Sequence, residues 1–382
     1  MQKSWVKKSL VVGILFILVI SAYPSTSSTQ KTPLGKNNTS IYYSYDQLTD
    51  LLDELQQEYP EIFNYSSLGK TWEGRDIWLV KISDNVTTEE DEPAVLYTGG
   101  MHGNEDPGYQ VVIYSLKAIV ENYTYPYVNE SFTYRIRNIV NTTELYFIPM
   151  LNPDGIESHV RKNRRPNNCP FGGTLFRGVD LDTNFDFNWE DRLIHPFRYI
   201  AIPRSWDDLI YITSQKFGNL HLFERTCVVY PFLDFNSIFG YGTYRGPSAF
   251  SENETQAVKR FFENHNITIS VDYHIFGEFI FYPHPWNYAL PSDKITFGSI
   301  AQNISKINGY KLPSEKGLKW LNWSGGFTDW SYKIYNVFSF GIELCDSMAP
   351  SYFPDKTEIL KLCDTHLFVN LYLAERVHIL GS

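Results

Sequence analysis

Apolar residues fall at helical spacing in some stretches of the chain and run together or alternate in others. Leu48, Leu51, Leu52, Leu55 and Tyr59 share one face of a 3.6-residue period, and Ser44 with Gln47 makes a capping box ahead of them. A helix is therefore expected from about residue 44. Short apolar runs at 77–83 and 94–98 read as a β-like pair, followed by a helix beyond Pro107 and a strand over 144–150. Ser251 and Glu254 predict a second capped helix in the stretch SENETQAVKRFFENH. Strands over 267–274 and 278–282, a helix over 292–308, a strand over 337–344 and a last helix over 357–377 complete the series. Strands alternating with helices predict an α/β fold, a single-domain mixed β-sheet flanked by helices on both faces.

Two stretches break this regularity. Lys3, Lys7 and Lys8 precede an apolar run from Leu10 to Ile20, the order of a secretory signal. A spanning helix needs roughly 20 apolar residues, and this run is shorter. Residues 1–23 thus read either as a cleaved signal peptide or as an N-terminal membrane anchor, and 24–41 as a Ser/Thr-rich tether. Residues 42–380 are expected to form one catalytic domain. Within it, 190–242 is aromatic, has no clean period and carries Arg192, Arg198, Arg204 and Arg225. A loop that long reads as a functional insertion.

Composition narrows the partners. A formal net charge of −10 and a pI near 5.4 exclude nucleic acid as the main one, because phosphate binding needs a basic face. Sequons begin at Asn37, Asn38, Asn64, Asn85, Asn122, Asn129, Asn141, Asn253, Asn266, Asn303 and Asn322. Chance supplies about three or four, and the excess predicts an exported, glycosylated protein that is extracellular or held at the cell surface. Export permits disulfides. Cys169 and Cys227 bracket one segment and Cys345 and Cys363 another, which leaves the pairing open.

The chemistry-bearing residues stand where strands end. The run 94–98 leads into Gly99-Gly100-Met101-His102-Gly103-Asn104-Glu105, and 144–150 into Asn152-Pro153-Asp154-Gly155. His274 and Glu343 end two further strands. Ligand crevices in open α/β sheets lie outside the carboxyl ends of strands, so these residues can converge. His102 and Glu105, three residues apart on a turn, with His274 as a third ligand, make a His₂Glu set that suits one zinc ion and leaves a position open. Glu343 would then serve as general base.

This order resembles the M14 zinc carboxypeptidases, the carboxypeptidase A family, over nearly the whole folded region. The carrying stretches are LGKTWEGRDIWLVKISDN at 68–85, GGMHGNEDPG, MLNPDG followed by RKNRR, YRGPSAFSENETQAV, VDYHIFGEFIFYPHPW and FGIELCD. The resemblance implies zinc at His102, Glu105 and His274, Glu343 as general base, Arg161 as the group that stabilises the oxyanion, and a peptide or protein substrate. It also exposes departures. The family's G-V-D-x-N-R-N supplies an Asn-Arg pair for the substrate's terminal carboxylate, and Asp182 and Thr183 stand in those two places. Losing a bidentate arginine removes the main attraction for a carboxylate. The register of the family's mobile tyrosine falls on Leu321, with Trp320 and Trp323 nearby, and Thr328 occupies the pocket-floor position.

Three explanations stay open. An arginine of the insertion substitutes for the missing one, or the substrate has no free terminal carboxylate, or Asp182 is a structural cap. The expected function is a zinc-dependent metallocarboxypeptidase-like hydrolase. The rivals are an exported amidase acting on substrates without a free carboxylate, and an inactive binding protein that keeps the fold.

Overall fold

The computed structural model describes residues 42–124, 130–166, 178–189, 200–203, 226–229, 245–283, 292–312, 325–346 and 354–380. The chain divides into two units, 1–41 and 42–382, and the described residues belong to the second. Its framework is a seven-stranded sheet built from β1 (Phe63–Lys70), β2 (Asp76–Ile82), β3 (Ala94–Gly99), β4 (Glu144–Ile148), β7 (Ile267–Ile275), β8 (Phe279–Phe281) and β9 (Phe338–Leu344). The order across the sheet is β1-β2-β4-β3-β7-β9-β8. The four central strands β4, β3, β7 and β9 are parallel, while β1, β2 and β8 join antiparallel at the edges. The two remaining strands, β5 (Ile200–Pro203) and β6 (Thr226–Val229), form a separate antiparallel pair within the expected insertion.

All six residues of β3 and all five of β4 are buried, as parallel strands covered on both faces must be. One face carries α2 (Asp106–Thr124) and α8 (Lys356–Leu380). A buried polar relay ties them to the sheet. Tyr97 donates to the Asn370 carbonyl, Tyr273 to Asn370 Oδ1, and Asn370 Nδ2 to Ser115. On the other face Ile77, Leu79, Leu96, Tyr146 and Ile148 pack with Val258, Phe261 and Phe262 of α5 (Asn253–Asn264) and with Phe327 and Trp330 of α7 (Phe327–Tyr335). The remaining helices are α1 (Tyr45–Glu58), α3 (Glu130–Val140), the short α4 (Pro153–Ser158) and α6 (Lys294–Asn308).

The capping box expected at Ser44 and Gln47 is present at the start of α1. The one expected at Ser251 and Glu254 is not. Tertiary partners claim both side chains: Ser251 Oγ binds Glu252 Oε1 and Asn184, and Glu254 Oε2 accepts from Asn163. The runs at 77–83 and 94–98 do form strands, but β4 lies between them and β2 pairs with β1 instead. The periodicity reading did not foresee α3, α7 or β1. Among the described cysteines Cys345 and Cys363 are buried and free, so they do not bridge one another. Burial pushes both thiols up to about 12, which leaves them unreactive.

Candidate metal centre

Parallel strands present their carboxyl ends together, and that rim gathers the candidate residues. The turn after β3 carries His102 and Glu105, β7 carries His274 and β9 carries Glu343, whose backbone is the register partner of His274. The metal turn is held by backbone. Leu151 and Asn152 N–H groups donate to Gly99 and Gly100 carbonyls, and Gly103 N–H donates to the Arg161 carbonyl. Asn152 Nδ2 reaches the carbonyls of Met101 and Arg161. The approach is so close that a Cβ on Gly103 would lie 2.1 Å from the Gly155 carbonyl carbon. Glycine is therefore required on that turn.

His102, Glu105 and His274 are each at most 3% exposed. His102 Nδ1 lies 3.0 Å from Glu105 Oε1 and 3.1 Å from His274 Nδ1, and His274 Nδ1 lies 3.1 Å from Glu105 Oε2. Donor separations of this size suit ligands roughly 2 Å from one shared centre. The opposite ring nitrogens face carboxylates: His102 Nε2 is 3.0 Å from Asp180 Oδ1, and His274 Nε2 is 2.7 Å from Asp272 Oδ2. Carboxylates behind the rings favour the tautomer whose Nδ1 lone pair points inward. Two inward lone pairs 3.1 Å apart beside a carboxylate repel unless a cation lies between them. The donor set, two imidazoles and one carboxylate, therefore fits a zinc ion.

The surrounding electrostatics follow from burial and pairing. Burial opposes ionisation of Glu105, but His102, His274 and Arg161 outweigh it and hold the carboxyl well below its usual range. For His102, burial and Arg161 act downward while Glu105 and Asp180 win and raise it. Arg161 donates from Nε to Asp180 Oδ2 at 3.0 Å and from Nη1 to Glu105 Oε1 at 2.8 Å. Glu343 differs from the others. Burial raises it to about 8, with Glu105 adding to the rise and His274 and Arg161 opposing it. Its Oε2 is buried without a hydrogen-bond partner among the described residues.

Asp182 and Thr183 lie on a short 3-10 turn, Leu181–Thr183, directly after Asp180. Asp182 Oδ1 accepts the Phe327 N–H at 3.0 Å, which caps the start of α7, and burial raises its carboxyl to about 6. The Thr183 hydroxyl donates to the Asp180 carbonyl at 2.9 Å. Thr328 is buried in the first turn of α7. Leu321, Trp320 and Trp323 lie outside the described residues, as do most of residues 190–242.

The sequence pattern marks Asp154 only as part of the strand-end NPDG turn and does not single out Asp272, Asp180 or Asn163. Asp272 had a signal, since residues two apart on a strand share a face. Asp180 had only its place in the G-V-D run. Asn163 had none: its Oδ1 accepts the Val179 N–H and its Nδ2 donates to Glu252 and Glu254, which fixes the segment before Asp180. Asp154 accepts from Thr71, Arg75 and the Glu73 N–H, and so clips the TWEGR turn to the NPDG turn.

A parallel-centred α/β sheet with a His₂Glu set and an adjacent carboxylate on its carboxyl rim defines a metallohydrolase. The zinc carboxypeptidase family, peptidase family M14, matches residues 48–199 and 240–368. The chain belongs to the zinc carboxypeptidase family. It is 24% identical over 346 residues to a zinc carboxypeptidase of Saccharothrix mutabilis subsp. capreolus, which covers 87% of this chain and 68% of that one. It is 24% identical over 343 residues to the human carboxypeptidase N catalytic chain, covering 82% and 64%. The carboxypeptidase A structure from Helicoverpa armigera superposes with a TM-score of 0.62 at 20% identity, covering 88% of this chain and 73% of that one. That of thrombin-activatable fibrinolysis inhibitor superposes at 0.65 and 19%, covering 88% and 74%. The chain thus spans about two thirds of the length of the two sequence relatives.

Proposed function

We propose that this chain is a zinc-dependent hydrolase of peptide or amide bonds, exported to the cell surface or beyond through its N-terminal segment. The observation that carries the catalytic reading is the buried His102–Glu105–His274 set beside Glu343, a carboxylate with an oxygen unpartnered among the described residues and a raised affinity for protons. An inert binding module has no use for such a base. These three residues hold the zinc ion, which supplies a Lewis acid for a carbonyl oxygen. Glu343 takes a proton from the attacking water and returns it to the leaving amine. Arg161, fixed through Nε and Nη1, keeps Nη2 for the oxygen on which charge develops.

Replacing Glu343 tests this. Glu343→Gln is expected to keep its zinc while losing about 10²–10⁴-fold in kcat/KM. A wild-type protein that holds zinc yet hydrolyses nothing across a broad peptide library, with the glutamine variant behaving the same, would leave a binding protein as the better reading.

A second reading concerns the substrate. Asp182 is committed to the Phe327 N–H and Thr183 to the Asp180 carbonyl, so neither place offers a cation to a terminal carboxylate. This favours a substrate whose end is uncharged or amidated, unless an arginine of residues 190–242 takes that part. Paired peptides with free and amidated C-termini separate the two. Comparable or faster cleavage of the amidated member is expected, and a strong preference for the free acid would assign the carboxylate to the insertion.

A further inference from the structure

Seven of the eleven sequons begin among the described residues, and the fold sorts those seven. Asn122 is 7% exposed in α2, and its Nδ2 is spent on the Ala118 carbonyl at 2.8 Å. Asn303 lies inside α6 and Asn253 opens α5. Asn64 is paired within β1, with its side-chain Oδ1 accepting from Gln56 Nε2. Three others stand on connections. Asn85 follows β2, Asn141 precedes β4, and Asn266 lies between α5 and β7.

These three share one rim of the sheet. Ile82, at the end of β2, is the register partner of Leu145 in β4, and the Asp84 N–H donates to the Val140 carbonyl. Asn85 and Asn141 are thereby neighbours. Ala94 pairs with Glu144 on one side and Ile267 on the other, which puts Asn266 on the same edge. This is the amino-terminal edge of the parallel strands, and the candidate metal set occupies the carboxyl edge. Asn266 and His274 are separated by the length of β7, roughly 25 Å at 3.3 Å per residue.

The local chemistry suits modification. Asn141 and Asn266 are exposed. Tyr123 donates to Asn141 Oδ1, an interaction that engages the oxygen of the side-chain amide and not its nitrogen. Thr87 Oγ1 lies 3.3 Å from Asn85 Oδ1, so the sequon's hydroxyl already meets its own amide. Beside Asn266 a cavity of about 410 Å³, lined by Phe262, His265 and Tyr335 among others, gives a first sugar room to pack.

We infer that Asn85, Asn141 and Asn266 carry N-linked glycans that sheathe the pole opposite the active site, while Asn122 stays unmodified. The inference rests on the export reading and not on the catalytic one. The donor is a lipid-linked oligosaccharide diphosphate or phosphate. Asn Nδ2 forms a bond to the anomeric carbon and loses one proton as the bond from that carbon to the phosphate oxygen breaks, and the lipid phosphate departs. No electrons are exchanged.

Glycopeptide mapping of the full chain, recovered from outside its own cells, tests the assignment. Glycans are expected on Asn85, Asn141 and Asn266 and none on Asn122. Unmodified asparagine at all three, or occupancy of Asn122 matching theirs, would overturn it. The triple variant Asn85→Gln, Asn141→Gln, Asn266→Gln is expected to lose the glycan mass with zinc content and peptide hydrolysis unchanged. A mass that does not fall also overturns the proposal. Failure of the catalytic reading shows separately, as absent hydrolysis in glycosylated protein.

Discussion

Asp182 shows how one side chain can be read in opposite ways. Beside a zinc site an extra carboxylate suggests attraction for a cation, yet its oxygen is occupied by the Phe327 N–H. The cost is a buried charge, visible as a carboxyl raised to about 6 from 3.8. An acid whose folded affinity for protons is raised contributes stability that is present below its unfolded value and lost as pH rises through the folded one. Asp182→Asn keeps the acceptor and removes the charge, so its Tm relative to wild type is expected to climb between about pH 4 and 6. Asp182→Ala removes the acceptor and is expected to lose about 1 kcal/mol at low pH. Thermal melts across that range check both, and equal responses of the two variants would remove the capping role.

The start of α5 joins an element to the site behind it. Glu252, fully buried, accepts from Trp72, Asn163 and Arg165, and through Asn163 this junction reaches Val179 and the segment leading to Asp180. Glu254 is the strained member. Burial raises it to about 8, and its Oε1 is unpartnered among the described residues. Its contribution follows the same sign, full below about 4.5 and lost as pH rises through 8. Glu254→Gln is expected to be more stable than wild type at pH 8 and near parity at pH 4.5, as chemical denaturation at the two pH values would show. A variant less stable at both would mean that the ionised form is needed to hold Asn163.

At the level of the whole molecule, the family match covers residues 48–199 and 240–368 and does not extend over 200–239. The metal set is assembled entirely from strand ends and the turn after β3. Deleting the insertion is therefore expected to change substrate choice, read from the paired peptides, while bound zinc by elemental analysis stays the same. Loss of zinc would make the insertion part of the scaffold.

Much of this could be read along the chain. The capping box at Ser44, the buried runs of β3, β4, β7 and β9, and His102, Glu105, His274 and Glu343 each follow from local pattern or from motif order. Local pattern is informative there because strand burial and turn chemistry depend on near neighbours. The rest depended on residues far apart in the chain. Whether Ser251 and Glu254 cap α5 or serve Asn184 and Asn163, whether β2 pairs with β3 or β1, and whether Asp182 faces a substrate or the N–H of Phe327 are choices between partners up to 145 positions away. Periodicity records which face of an element is apolar but not which distant group meets it. Sequence therefore specified most of the elements and the candidate metal ligands, and three-dimensional packing selected the partners, because a buried polar group takes whichever acceptor or donor the fold brings within reach.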